Sequence, residues 1–188
     1  IKVVINATSG NRFLSMSSHN KSNNQAKIIK KVCVIMATFN GSRYLPEQME
    51  SIANQTDVRV SLVIVDDCSS CLEKVLLKEQ IEHIHIPVKL IFNEKRVGPS
   101  TNFMRAIREY SGTSDYFAFA DQDDVWAPDK LKVAIDQLEK LPKGEPNLYC
   151  ARTSLVDERL KPIGLAPLKK KKPNFSHALA QSIAGGNT

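Results

Sequence analysis

Four apolar runs, at residues 32–37, 58–65, 88–92 and 116–120, each stop abruptly in a polar cluster. Between them the apolar residues return at helical spacing. Residues 44–53 carry Leu45, Met49 and Ile52, and residues 99–110 carry Phe103, Ala106 and Ile107. A helix over 70–82 is expected to turn Leu72, Val75, Leu76 and Ile81 inward, and another helical pattern begins at Lys130. Strand alternating with helix predicts an α/β fold with a central, mostly parallel sheet flanked by helices. Ligands of such sheets bind beyond the carboxyl ends of the strands. The polar clusters fall at those ends: Thr38 and Asn40, Asp66 and Asp67, the loop 93–100 with Lys95, Arg96 and Gly98, and Asp121, Asp123 and Asp124.

The last of these clusters is the strangest. Three carboxylates within four residues of a buried strand raise one another's pKa unless a cation lies among them. One acid, such as Asp129, suffices to cap the helix that follows. Three before Trp126 exceed what a cap uses, so the run predicts a divalent metal holding a diphosphate. Neither G-x-G-x-x-G nor G-x-x-x-x-G-K-S/T occurs in the chain, so bare backbone is not expected to cradle the phosphates. Carboxylates repel phosphate unless a metal lies between, which suits Mg2+ or Mn2+ with oxygen ligands. Asp66 and Asp67 suit a different task, accepting hydrogen bonds from a base N–H or a ribose hydroxyl.

The remaining chain sets limits rather than roles. At 188 residues, 42% hydrophobic and 24% charged, it has the balance of one globular domain. No apolar run approaches the roughly 20 residues needed to span a bilayer, and the start does not read as a signal peptide. The net charge of +6 favours anionic partners without choosing among them. Cys33 and Cys150 sit in apolar runs and are expected in the core, while Cys68 and Cys71 have the spacing of a redox pair without its context. A reducing, cytoplasmic location fits this usage. The sequons at Asn40 and Asn54 read as chance matches.

Residues 1–30 read as a leader outside the main fold, with 1–6 able to form a strand on its edge and the Ser- and Asn-rich stretch after it a loop. Residues 31–165 form the expected core, with a strand near 148–152 and an edge hairpin over 155–163. Residues 166–188 read as a basic linker and an incomplete further region, with a short helix over 175–183.

At this point the segments VCVIMATFNGSRYLPEQMESIANQT, SLVIVDDCSS, NEKRVGPSTNFMRAI and YFAFADQDDVWAPDKL resemble, in order and spacing, the nucleotide-binding half of family 2 glycosyltransferases of the GT-A fold. The DQDDVW form resembles their bacterial rhamnosyltransferase-like branch, which builds surface polysaccharides. The resemblance implies that Thr38 and Asn40 touch the donor nucleoside, with Glu47 on the helix behind. It implies that Asp67 binds the base ring, with Asp66 structural, and that Arg96 and Asn102 lie near ribose and pyrophosphate. Asp121 and Asp123 match the family's D-x-D, the first contacting ribose or metal-bound water and the second ligating Mn2+ or Mg2+. Asp124 would orient Asp123 or the sugar, and Trp126 would either wall the pocket or pack on the next helix.

The implied reaction moves a sugar, rhamnose for the narrower branch, from a UDP- or dTDP-type donor to a saccharide or lipid-linked acceptor, with inversion. The family's general base is expected beyond Thr188, since residues 185–188 resemble the start of the segment that carries it. His177 is read as a surface or capping residue. The basic run Lys169, Lys170, Lys171 and Lys172 is either a solvated loop or a contact with anionic lipid, each lysine there contributing about 1 kcal/mol. No nucleic-acid partner is expected, because no stacking aromatics accompany the lysines. Two other classes remain open at this stage: a metal-dependent nucleotidyltransferase, and a non-catalytic nucleotide-binding module.

Overall fold

The computed structural model describes residues 2–6, 28–110, 112–142, 144 and 147–166. Its larger sheet has four parallel strands: β2 (Lys30–Thr38), β3 (Val58–Asp66), β4 (Val88–Phe92) and β5 (Tyr116–Ala120), in the order β4-β3-β2-β5. β2 and β3 lie in the middle and are covered on both faces, which is why residues 32–37 and 62–65 read as unbroken apolar runs. Alternate residues divide between the faces. Val32, Val34 and Met36 meet α1 (Leu45–Ala53), α2 (Cys71–Ile81) and α4 (Lys130–Leu138) through Leu45, Met49, Ile52, Leu77, Leu131 and Ile135. Cys33 and Ile35 face the other way, towards Phe103, Ala106 and Ile107 of α3 (Pro99–Tyr110). There the Phe103 and Phe119 rings meet edge to face with centroids 5.0 Å apart.

The register fixes what lies at the functional edge. Thr38 pairs with Asp66, Asp66 with Phe92, and Met36 with Ala120. Continuing the last pairing by two residues brings Gln122 level with Thr38. Backbone bonds from Asp67 N–H to Thr38 O (2.8 Å) and from Asn93 N–H to Asp66 O (2.9 Å) carry the ladder past the strand ends. The polar clusters therefore meet along one rim.

A smaller sheet lies beyond, in the order β6-β1-β7-β8, built from β6 (Asp124–Trp126), β1 (Lys2–Asn6), β7 (Arg152–Val156) and β8 (Pro162–Leu165). Several expectations are corrected here. Lys2–Asn6 is neither outside the fold nor on an edge, since it runs parallel to β6 and antiparallel to β7, between them. Its partners lie over a hundred residues away, a pairing no local pattern announces. Residues 148–151 are not a strand, so Cys150 is exposed rather than in the core, and the edge hairpin is β7 with β8. On α2, Leu77 is buried while Leu72 and Val75 are exposed. The inward side of that helix instead carries Glu73, whose carboxylate accepts from Ser42 N–H (2.9 Å), and Gln80, which donates to Ser42 O (2.8 Å). Lys169 to Lys172, His177, the helix expected over 175–183 and the Gly-Gly stretch at 185–188 lie outside the described residues, as does the loop after Asn6. Among the described residues no helix is long and apolar enough to cross a membrane.

Candidate functional site

A cleft of about 290 Å³ opens at the carboxyl rim of the larger sheet, lined among others by Thr38, Asp67, Arg96, Asn102, Asp121 and Asp123. A tighter cavity of about 70 Å³ between β5, α4 and residues 147–151 is lined mainly by apolar side chains and holds no carboxylate. The polar cleft is the candidate site because Asp67, Asp121 and Asp123 converge there with the Asn102 amide and the Arg96 guanidinium at the carboxyl rim.

Asp67, just past β3, is 4% exposed. Its Oδ1 accepts from Val97 N–H (2.8 Å) and Asn93 Nδ2 (3.2 Å), and its Oδ2 from Gly98 N–H (3.0 Å). Burial opposes its charge, but the hydrogen bonds from Val97, Gly98 and Asn93, with the nearby Asn102 amide, outweigh that and hold its pKa below the ordinary value. Asn102, on the first turn of α3, accepts from Asn93 Nδ2 at 2.8 Å and is 1% exposed. Its Nδ2 is buried and outside hydrogen-bonding geometry with any described group. This amide donor stands at the wall of the cleft beside the Asp67 carboxylate, whose charge it favours. Arg96 lies over the Phe39 ring at 3.7 Å, with its Nε 3.8 Å from Asp67 Oδ2, so a cation stands at the mouth.

Across the cleft, Asp121 and Asp123 are open to solvent, with Gln122 between them half-buried. The Asp121 pKa is raised first by partial desolvation of its carboxyl against the cleft wall and then by the Asp123 charge, with Lys130 acting against both. Asp124 begins β6 and faces inward, 6% exposed. Burial, then Asp121 and Asp123, push its carboxyl up to about 7. Lys130, the first residue of α4, is 4% exposed and its ammonium lies 3.4 Å from the Trp126 ring centroid. Burial pulls its pKa down to about 7 against the attraction of Asp124 and Asp121. Acidic residues are the rule at a helix start. A lysine there is the sequence signal that this end of α4 serves the carboxylates.

Among the described residues, no three His, Cys, Asp or Glu side chains gather as a metal site. Two mutually repelling carboxylates on one wall fit Mg2+ or Mn2+ nevertheless, because such ions take one or two carboxylates and complete their shell with phosphate oxygens and water. Zinc, which prefers nitrogen and sulfur ligands, does not fit this donor set.

Two other residues stand apart from the cleft lining. Asn40 has a left-handed backbone (φ 47°), and its side chain accepts from Ser70 N–H at 3.1 Å. Glu47 is exposed on the first turn of α1. Asp66 is 1% exposed and both its oxygens hold Ser69, through the backbone N–H (2.9 Å) and the hydroxyl, which fits the structural part expected of it. Trp126, 3% exposed, packs in the core beneath Lys130 instead of walling the cleft. Cys68 and Cys71 are unlinked; the first donates to Glu94 O at 3.3 Å.

The family model described as "Glycosyl transferase family 2" matches residues 33–160, which include every lining residue of this cleft. The chain belongs to that family. It is 40% identical over 105 residues to "dTDP-rhamnosyl transferase RfbG" of Shigella flexneri, an alignment covering 55% of this chain and 36% of that protein. It is 27% identical over 125 residues to an uncharacterized glycosyltransferase of Haemophilus influenzae, covering 66% of this chain and 40% of the relative. The chain thus spans well under half the length of these relatives. Among solved structures it is similar to the mannosyltransferase PcManGT from Pyrobaculum calidifontis in complex with GDP-Man and Mn2+, with a TM-score of 0.55 and 23% identity over 70% of this chain and 37% of that one. It is also similar to residues 1–349 of S. aureus TarS in complex with UDP, with a TM-score of 0.51 and 22% identity over 63% of this chain and 38% of that one. At those identities the likeness speaks for the fold, which is GT-A, as the four sequence segments led one to expect.

Proposed function

We propose that this chain forms the donor-binding part of an inverting glycosyltransferase that takes a sugar from a nucleoside diphosphate. The observation that carries the reading is the facing of Asp121 and Asp123 across one cleft from Asp67, Arg96 and Asn102. Asp121 and Asp123 would hold Mn2+ or Mg2+, which stabilises negative charge on a departing diphosphate. Asn102 Nδ2 and the Arg96 guanidinium are donors placed for phosphate or ribose oxygens. Asp67 Oδ2, which takes the Gly98 N–H and faces Arg96, is the carboxylate atom that would meet a base N–H or ribose hydroxyl.

A dTDP-linked donor, with rhamnose as the sugar, is favoured by the name of the Shigella flexneri relative. UDP is the competing choice. The acceptor in this reading is a saccharide or a lipid-linked sugar at the inner face of the membrane, approached through the basic run at 169–172. Asn40 and Glu47 keep a donor-side part only if the ligand reaches past the cleft wall.

Calorimetric titration of UDP and dTDP into the full chain, with and without Mn2+, tests the reading. Binding that requires the metal and weakens by at least about tenfold in Asp123→Ala is expected. Failure of both diphosphates to bind with Mn2+ present would overturn it.

A further inference from the structure

Gln122 separates the two open carboxylates, yet its own side chain turns back to the first turn of the sheet. Its Oε1 accepts from the Phe39 backbone N–H at 2.8 Å and from the Thr38 hydroxyl at 2.9 Å. The Phe39 N–H can only donate, so the atom facing it must be the amide oxygen; this fixes the orientation of the amide. These bonds cross 83 and 84 residues of chain and tie the acidic turn to the end of β2.

The amide rests on Gly41. A Cβ built there would stand 2.3 Å from Gln122 Oε1, 2.6 Å from its Cδ and 3.1 Å from its Nε2. Gly98, Gly112 and Gly144 have positive φ and open space around them, so backbone conformation explains those glycines. Gly41 is the reverse case. Its φ is not in the left-handed region, and space alone forbids a side chain.

The geometry points to Gln122 as the positioning residue for Asp121 and Asp123, with Gly41 as the seat that admits its amide. The inference rests on the reading of those aspartates as the metal-holding pair. Its mechanism is distinct: the D-Q-D turn is aimed by its middle residue, which anchors to β2 and leaves the flanking carboxylates facing the cleft. Side chains that orient metal ligands typically change metal affinity by about 10–100-fold when removed.

Steric coupling makes the idea sharp. The atoms that a Cβ at position 41 meets all belong to one flexible side chain, so Gly41→Ala is expected to displace the Gln122 amide rather than the backbone. Gly41→Ala and Gln122→Ala should therefore cause the same defect. Once residue 122 is alanine, the methyl at 41 has nothing left to strike, so the double variant should be no worse than Gln122→Ala alone.

The experiment measures Mn2+-dependent binding of the preferred diphosphate to the full chain and its three variants, with metal-free thermal unfolding alongside. The expected result is a loss of about tenfold or more in metal-dependent affinity for each single variant, no further loss in the double, and a fall in the unfolding midpoint no larger than the two freed donors, Phe39 N–H and the Thr38 hydroxyl, account for, with every variant still folded at the assay temperature. A parent chain that shows no metal-dependent binding removes the donor-site reading and this inference with it. A parent that binds while either single variant stays within about twofold overturns this inference alone. So do losses that add in the double variant, or a fall in the unfolding midpoint large enough to leave the variants partly unfolded at the assay temperature, which marks packing rather than aiming.

Discussion

Asp67 accepts the Val97 backbone N–H at 2.8 Å, across 30 residues of sequence, and so closes the loop after β4 over the end of β3. Together with the bonds from Gly98 and Asn93, this makes the carboxylate the organiser of the wall that carries Arg96 and the start of α3. A carboxyl whose folded pKa lies below its unfolded value adds stability above the unfolded value, and that stability is lost as pH falls through the folded one. Asp67 is such a group. Asp67→Asn, which sets an NH2 group among N–H donors, is expected to cost about 1–3 kcal/mol near neutral pH. The gap between parent and variant should narrow in acid, once the parent carboxyl is protonated. Urea unfolding near pH 7 and near pH 3 checks this, and a gap of equal size at both would count against it.

Gln55 joins the back of the acidic turn to α1. It is 8% exposed, donates to Ala127 O (2.7 Å) and Ser51 O (3.1 Å), and accepts from Leu131 N–H (2.9 Å). The last bond satisfies a donor in the first turn of α4, where the N-cap residue Asp129 makes no side-chain cap. Gln55 thus caps a helix 76 residues away, the part Asp129 was expected to play. Gln55→Ala would strand the buried Leu131 N–H at about 1–3 kcal/mol, while Ala127 O keeps the Lys130 N–H at 3.0 Å. A fall of roughly 1–3 kcal/mol in unfolding free energy is expected, with Asp129→Ala nearly neutral by comparison.

Strands β2 to β5 and helices α1 and α3 were readable in the sequence because burial of their faces follows the period of the chain. The rim could be read too, since a parallel sheet sends successive carboxyl ends to one side. What could not be read depends on distant partners. β6 is three residues long and pairs with a β1 that precedes it by over a hundred residues. Leu72 and Val75 looked like an inner face on α2, but the helix approaches the body with Glu73 and Gln80, which bond to Ser42. Gln122 and Lys130 are ordinary residues until their partners, Phe39 in one case and Asp124 with Trp126 in the other, are brought up by the fold.

Asn40 separates a backbone role from a ligand role. Its φ of 47° suits Asn and Gly, while a β-branched residue there is strained by roughly 1–2 kcal/mol. Its amide oxygen also takes the N–H of Ser70, the N-cap of α2, and its own N–H donates to Ser69 Oγ at 2.8 Å. Asn40→Gly is expected to lose about 0.5–1.5 kcal/mol for the missing side-chain bond, and Asn40→Val clearly more. If Asn40 also reaches the donor, Asn40→Gly will weaken nucleotide binding beyond what its folding defect explains. Denaturant unfolding paired with calorimetry distinguishes the two.

Lys130 gives the most direct view of how the fold tolerates its carboxylates. Its buried ammonium stands over Trp126 and draws on Asp124 first and Asp121 second. In Lys130→Met the stem still packs and the counter-charge is gone. The loss in stability should be smaller than the roughly 3–5 kcal/mol of a broken buried pair, because Asp124, already raised to about 7, takes up a proton instead. A divalent cation supplies the same neutralisation from the cleft side. Ligands that bind the folded state stabilise it according to their affinity, and a site stripped of its ammonium attracts a cation more strongly. Lys130→Met is therefore expected to unfold at a lower temperature than the parent without metal and to gain more from added Mn2+. Equal gains in the two proteins would show that Lys130 and the metal do not share the carboxylates.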